Sequence, residues 1–421
     1  MSTSSPSSRP ADEAARLLEI IDRFSEPRVL VIGDFIADEF IYGRVARISR
    51  EAPVLILEYD RTQVVPGGAG NAASNVAALG ARTRAVGLVG DDEMGKRMIE
   101  GLHENIERTG VIARPGGSTP TKTRILAGGV HSAKQQVVRI DRITRLKADA
   151  QARELFRREV LRAAPRYDAV LVSDYGAGLV SPSLVAELKK AVAKPASRGA
   201  GAGAGARRVP ILLDSRYDLV RYRGLTAITP NEAEVEAALG ISIHDSTAVL
   251  ERAGRELLEK TKNQAVLITR GSHGMALFER DQPTRHLGIY GSDEISDVTG
   301  AGDTVIATMT LALAAGASPF QAMQLANYAG GIVVMKRGTA TVSAHELRQA
   351  VREDLRARPH PRRPLMPPPP ITPEVNAARL NATTVTAADH SQSSSASSAS
   401  NASNASTGGN GVRGGRSRGS R

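Results

Sequence analysis

The chain has 421 residues, 41% hydrophobic and 24% charged, a composition typical of a globular protein with one or two domains. It contains no Cys, which excludes disulfides, Cys-ligated zinc or iron–sulfur sites and a thiolate nucleophile. The formal net charge is +11, but residues 351–421 hold ten Arg and only four acidic residues, so more than half of the excess lies there. The rest of the chain does not require a nucleic-acid partner. Without an 18-residue apolar run or a signal-like N-terminus, the sequence favours a cytoplasmic protein with no membrane span.

Three regions follow one another along the chain. Residues 1–27 are a polar leader with a short amphipathic helix, and residues 28–350 are predicted to form one globular domain. Residues 351–421 are rich in Pro, Ser, Asn, Gly and Arg. Because such a segment buries too little apolar surface to offset its chain entropy, we expect it to be disordered.

Six short apolar strands alternate with helical patterns in the globular domain. They cover residues 28–34, 84–90, 168–174, 209–214, 225–230 and 265–270. Apolar strands separated by helices predict an α/β fold, a parallel sheet covered on both faces. Ligands of such sheets bind at the carboxyl ends of the strands. Residues 35–65 and 120–140 break the alternation and are predicted to form a small accessory β-sheet over the site.

The strongest chemical motif is Asp297-Val-Thr-Gly-Ala-Gly-Asp303, which leads directly into a long apolar helix. Gly300, Ala301 and Gly302 would direct backbone N–H groups at an anion, and the helix dipole favours negative charge there. Asp303 would face the same anion. A carboxylate beside an anion hole suggests a general base for a hydroxyl that attacks a phosphoryl group.

Three weaker motifs carry polar groups at predicted strand ends and helix starts. Gly67, Gly68 and Asn71 lie where a helix begins, and Asp34 ends the first strand. Asn231 and Glu234 share the first turn of another helix, a spacing suited to Mg²⁺-bound water beside phosphates. Each of these motifs also has a purely structural interpretation, as a tight turn or a helix cap.

The order of these motifs resembles that of the ribokinase/PfkB carbohydrate kinases over residues 28–345. The matching segments are Gly33-Asp34, GGAGN (67–71), VGLVGDDEMG (86–95), NEAE (231–234), TRG (269–271) and DVTGAGD (297–303). The resemblance implies a ribokinase-like three-layer α/β/α sandwich with a small β-sheet lid. It also implies ATP as donor, Mg²⁺ as cofactor and K⁺ as a further candidate.

Carried over position by position, the resemblance assigns roles to individual residues. Asp303 becomes the base, and Gly300, Ala301 and Gly302 form the anion hole. The residues expected to hold sugar hydroxyls are Asp34, Gly67, Gly68 and Asn71. Those expected near Mg²⁺, the phosphates or the nucleotide are Asn231, Glu234, Arg216, Thr269, Gly271, Thr299 and, beside the adenine, Asn327. Asp297 and Thr299 match positions that bind a monovalent cation in relatives.

A narrower resemblance, to the D-glycero-D-manno-heptose 7-phosphate kinases, suggests the substrate. It rests on residues 42–54, 66–81, 173–178, 218–234 and 296–307. Many of those kinases are fused to an adenylyltransferase domain, of which the tail here shows no motif, so a stand-alone kinase is expected. Arg47, Lys122, Arg124 and Arg139, in or near the lid segments, are candidates for binding the 7-phosphate.

Two positions depart from the pattern of the heptose kinases. Ala177 stands where they commonly have Lys, and Asp214-Ser215-Arg216 replaces their Asp-Pro-Lys, with Arg216 keeping the positive charge. The acceptor therefore stays open among heptose 7-phosphate, another sugar or sugar phosphate, and a nucleoside. A non-catalytic sugar or nucleotide sensor, and an RNA-associated role of the Arg/Gly tail, are alternatives from other classes. A homodimer formed through the apolar face of the lid is also compatible with the sequence.

Overall fold

The apolar strands pair into one nine-stranded sheet in the computed structural model, which describes residues 10–128, 134–143, 149–193, 208–291, 297–336 and 338–357. In chain order the strands of the protein are β1 (Arg28–Gly33), β2 (Phe35–Ile48), β3 (Leu55–Gly68), β4 (Arg82–Gly90), β5 (Ile106–Arg114), β6 (Thr121–Gly128), β7 (Gln135–Arg142), β8 (Ala169–Asp174), β9 (Ile211–Ser215), β10 (Ala227–Ile228), β11 (Ala265–Thr269), β12 (Met275–Glu279) and β13 (Arg285–Leu287). The large sheet has the order β13-β12-β11-β10-β9-β8-β1-β4-β5. It is parallel from β5 to β11, and β12 and β13 are antiparallel at one edge.

Helices cover both faces of this sheet. They are α1 (Pro10–Asp22), α2 (Ala69–Ala78), α3 (Glu93–Glu100), α4 (Ala150–Ala163), α5 (Pro182–Ala193), α6 (Glu232–Leu239), α7 (Thr247–Thr261), α8 (Ala301–Ala314), α9 (Pro319–Val334) and α10 (Ala344–Ala357). Alternate residues of β1 enter different cores: Val29 and Val31 pack with α1–α3 and α8–α10, whereas Leu30 and Ile32 pack with α4–α7. Strands that are apolar on both sides are what a sheet buried between two helical layers needs.

A second, four-stranded sheet of order β3-β2-β6-β7 forms the lid. The strands β2 and β3 are antiparallel, β2 and β6 are parallel, and β6 and β7 are antiparallel. These strands come from the two stretches that interrupt the α/β alternation, although residues 129–133 of the second stretch lie outside the described residues. The predicted fold class, three α/β/α layers with a small β lid, is confirmed.

The ends of the described chain pack together through α1 and α10. Arg348 Nε donates to Asp22 Oδ1 at 2.9 Å, and Leu17 and Val351 are both buried. The predicted start of the tail at residue 351 falls inside α10, which continues to Ala357 because its apolar face is still buried there. The predicted disorder of the rest of the tail concerns residues 358–421, which lie outside the described residues.

No helix within the described ranges combines the length and the apolar character needed to cross a bilayer.

Candidate active site

Asp303 is a buried carboxylate in the first turn of α8, with 4% of its surface exposed. Its Oδ2 accepts a hydrogen bond from Asn71 Nδ2 at 2.8 Å, and its Oδ1 accepts one from Tyr175 Oη at 3.1 Å. Burial raises the pKa of Asp303 to about 6, although both hydrogen bonds favour the charged form and oppose the shift. A carboxyl group with this pKa is ionised at neutral pH and is basic enough to accept a proton from a hydroxyl in a transition state.

The glycine before α8 lets Asn71 approach the helix. Gly300 is the N-cap residue and has a left-handed backbone with φ +81°. A Cβ at this position would lie 2.5 Å from Asn71 Nδ2, so only glycine leaves room for the amide. Asn75, one turn later on α2, donates to Asn71 Oδ1 at 3.2 Å and accepts from Thr304 Oγ1 at 3.0 Å. Asn71, which was expected to bind sugar, is thus placed where it orients the carboxylate of Asp303.

Asp34 lies at the end of β1, buried beneath the loop that follows β8. Its Oδ2 accepts from the backbone N–H groups of Tyr175 at 2.8 Å and Ala177 at 3.0 Å, whereas its Oδ1 is buried without a partner among the described residues. Burial and the neighbouring Asp174 carboxylate raise the pKa of Asp34 to about 7. The unpartnered oxygen gives Asp34 an acceptor to offer a ligand hydroxyl, since buried oxygens are rarely left unbonded.

Three connected clefts surround these two carboxylates. The central cleft, of about 290 Å³, is polar and contains Gly68, Thr299, Gly300, Gly302 and Asp303. The lid cleft, of about 500 Å³, extends from Asp34 and the 175–177 loop to strands β6 and β7. The apolar cleft, of about 150 Å³, lies beside the start of α8 and is lined by Met275, Ile289, Tyr290, Val305 and Asn327, among others.

Shared residues join the clefts to one another. Thr269, Val298 and Gly302 line both the central and the apolar cleft. Lys122, Tyr175 and Arg216 line both the central and the lid cleft. An elongated ligand with an apolar end could therefore extend from the apolar cleft past Gly302 to Asp303, while a second ligand reaches Asp303 from the lid side.

The cations expected to bind phosphate are placed differently from one another. Lys122 lines the central and lid clefts, and Arg124 lines the central cleft, where it pairs with buried Asp38 at 2.5 Å. Arg139 lines the lid cleft and donates twice to Asp141, at 2.9 and 3.1 Å. Arg47 is exposed nine residues beyond Asp38 on β2, roughly 30 Å of extended strand, and the structure does not bring it to the clefts.

Asn231 and Glu234 form a capping box at the start of α6. Asn231 Oδ1 accepts from Glu234 N and Glu234 Oε2 accepts from Asn231 N, each at 2.9 Å. The spacing that suggested a Mg²⁺ site is thus also a helix-start signal. Both side chains nevertheless line the central cleft. Burial raises the pKa of Glu234, and burial followed by the charge of Glu234 raises that of the neighbouring Asp214 carboxyl.

Asp297 holds the loop before α8 in place through two hydrogen bonds. Its Oδ1 accepts from Thr299 N at 2.9 Å and its Oδ2 from Gly338 N at 3.0 Å. Thr299 lines the central cleft. Asn327 lines the apolar cleft together with Thr269 and Gly271, and its Nδ2 donates to Gly288 O at 2.9 Å.

The sequence interpretation missed Tyr175 and Asp38. The signal for Tyr175 was present in the Ser-Asp-Tyr-Gly segment at the carboxyl end of β8, where ligands of parallel sheets bind. The signal for Asp38 was weaker, because an acidic residue inside a lid strand has the same pattern as a solvated strand face. Gly67 packs against Asp38: a Cβ on this glycine would lie 2.2 Å from Asp38 Oδ2.

Comparison with known sequences gives a consistent family match. The model of the pfkB family carbohydrate kinases matches residues 26–346. Bifunctional protein HldE of Geobacter metallireducens is 42% identical over 320 residues, which cover 76% of this chain and 61% of that relative. Bifunctional protein HldE of Caulobacter vibrioides is 42% identical over 332 residues, with coverages of 77% and 63%. This chain therefore spans less than two thirds of the length of these curated relatives.

Solved structures share the fold at low sequence identity. Arabidopsis thaliana ribokinase, complexed with ribose and ATP, superposes with a TM-score of 0.56 at 20% identity over 78% of this chain and 98% of the other. Escherichia coli phosphofructokinase-2, in complex with potassium, gives a TM-score of 0.60 at 16% identity over 78% and 99%. The fold is therefore ribokinase-like, and the family match over residues 26–346 shows that the chain belongs to the pfkB family of carbohydrate kinases.

Proposed function

We propose that this chain transfers a phosphoryl group from MgATP to a sugar hydroxyl. Its proposed acceptor is D-glycero-β-D-manno-heptose 7-phosphate, giving the 1,7-bisphosphate. The observation that carries the proposal is the buried carboxylate of Asp303, at the glycine-rich start of α8, where the central cleft meets the other two. A sensor that only binds its ligands has no need of a base at this position.

Asp303 would accept the proton of the acceptor hydroxyl while that oxygen forms its bond to phosphorus and the bond to the departing ADP oxygen breaks. The backbone N–H groups at the start of α8, near Gly300 and Gly302, would stabilise the charge on the transferring group. Asn71 would keep the carboxylate aimed at the hydroxyl. Most of the rate enhancement in such a reaction comes from positioning and charge stabilisation.

The clefts fit a nucleotide and its metal. The apolar cleft suits a base, since Met275, Tyr290 and Val305 line it. Two buried hydroxyl oxygens of the central cleft, Thr229 Oγ1 and Thr339 Oγ1, lack hydrogen-bond partners among the described residues, and phosphate oxygens or bound water would supply them. When bound, Mg²⁺ neutralises phosphate charge, and Asn231 and Glu234 are the side chains proposed to hold its water ligands. Asp297 and Thr299 are the proposed neighbours of K⁺.

The lid cleft would hold the acceptor. Asp34 Oδ1 would accept from a sugar hydroxyl, and Gly68 would allow close approach of the ring. Lys122, Arg139 and Arg216 line the cleft and would bind the phosphate of a sugar phosphate. This cluster supports a phosphorylated acceptor although Ala177 lacks the positive charge that heptose kinases commonly have there.

The test is ATP consumption by the purified chain with Mg²⁺, with and without K⁺. The acceptors are heptose 7-phosphate, fructose 6-phosphate, ribose, fructose and adenosine, and phosphorus NMR locates the new phosphate. Strong preference for heptose 7-phosphate and a product phosphorylated at position 1 supports the full proposal. Preference for another acceptor keeps the reaction and replaces the substrate, whereas no turnover with any acceptor would favour the sensor.

We further propose a homodimer formed through the lid. Val45, Ile48, Val54, Leu55 and Tyr59 are exposed apolar residues of β2, β3 and their connection, and a second copy of the lid could cover them. Light scattering at micromolar protein should return twice the chain mass of 44.5 kDa. A mass of one chain would contradict the dimer and leave the kinase proposal intact.

A further inference from the structure

The loop after β8 is fixed by the two carboxylates beneath it. Asp34 Oδ2 accepts from Tyr175 N and Ala177 N, and Asp174 Oδ1 accepts from Gly176 N at 3.0 Å. Gly176 has a φ of +82°, which allows the turn between these bonds. The backbone of Tyr175 is therefore held from below by the residue proposed to bind the acceptor.

The side chain of Tyr175 is held as firmly as its backbone. Lys122 Nζ lies 4.7 Å and Arg216 Cζ 4.6 Å from the centroid of its ring, within the range of cation–π attraction. Its hydroxyl reaches Asp303 Oδ1 at 3.1 Å. Burial, followed by the charge of Asp303, raises the pKa of Tyr175, so the phenol stays protonated and donates to the carboxylate.

We propose that Tyr175 is a positioning residue for Asp303, which fixes the orientation of this carboxylate and sets its affinity for a proton. The inference rests on the proposed function, since it gives Asp303 the part of the base. Asn71 holds Oδ2 and Tyr175 holds Oδ1, so the plane of the carboxylate is fixed at both oxygens. Each oxygen has a second lone pair, which leaves an acceptor for the hydroxyl of the sugar.

Tyr175 also connects Asp34, the residue proposed to bind the acceptor, with Asp303, the proposed base. Asp34 bonds the backbone of Tyr175, and Tyr175 bonds Asp303 through its side chain. A sugar that hydrogen-bonds to Asp34 therefore contacts the group that anchors the loop carrying the positioning residue.

The discriminating variant is Tyr175→Phe, which keeps the ring beside Lys122 and Arg216 and removes only the hydroxyl. Besides Asp303, the charged side chains that line the central cleft are Asp38 on β2, Lys122 and Arg124 on β6, Asp214 and Arg216 at the end of β9, and Glu234 on α6, and all remain in the variant. Loss of a donor to the charged form raises the pKa of the carboxyl. We expect the acid limb of kcat/KM to move up by about one pH unit.

The kinetic signature distinguishes positioning from a structural role. At about pH 5, on the acid limb, kcat should fall about tenfold, the equivalent of one pH unit, with KM for the acceptor changed less than about twofold, and part of the loss should be recovered above pH 8. Tyr167→Phe is the matched control, because it removes a phenol hydroxyl that lies 3.3 Å from the Glu107 carboxylate, outside the three clefts. The control should leave the pH profile in place. An unchanged acid limb and kcat in Tyr175→Phe would overturn the inference.

A direct titration keeps this test separate from the proposed function. In protein labelled with ¹³C at Asp carboxyl carbons, the Asp303 signal is assigned by its loss in Asp303→Asn. Its titration midpoint should be higher in Tyr175→Phe than in the unaltered protein. If the unaltered protein transfers phosphate to no acceptor, the kinase proposal fails, while an unshifted midpoint would still refute the influence of Tyr175 on Asp303.

Discussion

Asp303 shows how a buried carboxylate can keep its charge at neutral pH. Burial alone would neutralise it, and the two donors Asn71 and Tyr175 restore part of the stability of its charged form. With a pKa of about 6, Asp303 stays ionised at neutral pH and is a stronger base than an ordinary Asp carboxylate. Such tuning is typical of groups that transfer protons.

Asp303→Asn should lower kcat by at least about a hundredfold, because the amide cannot accept the proton of the hydroxyl. It should also change the pH dependence of stability. The pKa of Asp303 rises from 3.8 to about 6 on folding, so its stabilising contribution is present below pH 4 and is lost as pH rises through 6. Between pH 4 and pH 7 the unaltered protein should therefore lose about 2 kcal/mol of stability relative to the Asn variant.

Urea unfolding of both proteins at a series of pH values, with kcat measured in parallel, checks this prediction. Asp281→Asn is the control, because Asp281 lies in the exposed turn between β12 and β13. A normal kcat in Asp303→Asn would remove Asp303 from the part of the base. Parallel stability curves would show that its proton affinity does not change on folding.

Individual residues divide into those that the sequence could place and those that it could not. The glycine-rich run before Asp303 marked a helix start with an acidic first turn, which local spacing is sufficient to predict. The bond between Asn71 and Asp303 joins residues 232 positions apart, so no local pattern contains it. For the same reason the sequence could not distinguish Lys122, which reaches the clefts, from Arg47, which is carried away along β2.

At the scale of elements, helix ends decide where the chemistry can occur. Gly300 at the start of α8 and Gly240 at the end of α6 both have left-handed backbones, with φ of +81° and +68°. A Cβ on Gly240 would meet nothing within 4 Å, whereas one on Gly300 would meet Asn71. The two glycines therefore share a backbone requirement and differ in what surrounds them.

Alanine at either position should cost about 1 to 2 kcal/mol of stability, because a side chain is strained in the left-handed region. Only Gly300→Ala should also reduce kcat, by about a hundredfold, since the new methyl group displaces Asn71 from Asp303. Denaturant midpoints and kcat of both variants test this comparison. Equal kcat values in the two variants would mean that contact with Asn71 is unimportant for turnover.

Local sequence pattern predicts some of the secondary-structure elements and not others. The long apolar strands β1, β8 and β11 were evident from the sequence, but the expected strand at residues 225–230 contributes only Ala227–Ile228. The edge strands β12 and β13 were not predicted, because the pairing of β12 with β11 and of β13 with β12, rather than local pattern, maintains them. The spacing of Asn231 and Glu234 was a true signal of a helix start, and it serves the capping box whatever else it does.

At the scale of the whole molecule, the contact of α1 with α10 sets the smallest chain that should fold. A chain that ends at Ala357 keeps all of α10 and should retain the unfolding midpoint and kcat of the full chain. A chain that ends at Ala350 loses Val351, which is 1% exposed, and the acceptor of the 2.6 Å hydrogen bond from Tyr328 to Asp354. Burial of one such valine stabilises by about 1.5 to 3 kcal/mol, so this shorter chain should be markedly less stable.

Thermal unfolding and ATP turnover of the two shortened chains, beside the full chain, are the measurements. Loss of activity in the chain ending at Ala357 would show that residues 358–421, which include the Arg/Gly tail, take part in function, as the RNA-associated alternative requires. Equal stability of the two shortened chains would show that the second half of α10 contributes nothing to the fold.

The hairpin formed by β2 and β3 extends from the nine-stranded sheet and its helices, and the two ends of the hairpin lie side by side. Phe35 pairs with Gly68 at the base of this hairpin, and Ala69 N donates to Asp34 O at 3.0 Å. Because the two ends of this hairpin are already paired at its base, residues can be added or removed at its tip, between Ile48 and Leu55, without altering the pairing at the base. Insertions and deletions at the tip are therefore the route by which this scaffold can acquire new acceptors or assemblies while Asp34, Asn71 and Asp303 keep their places.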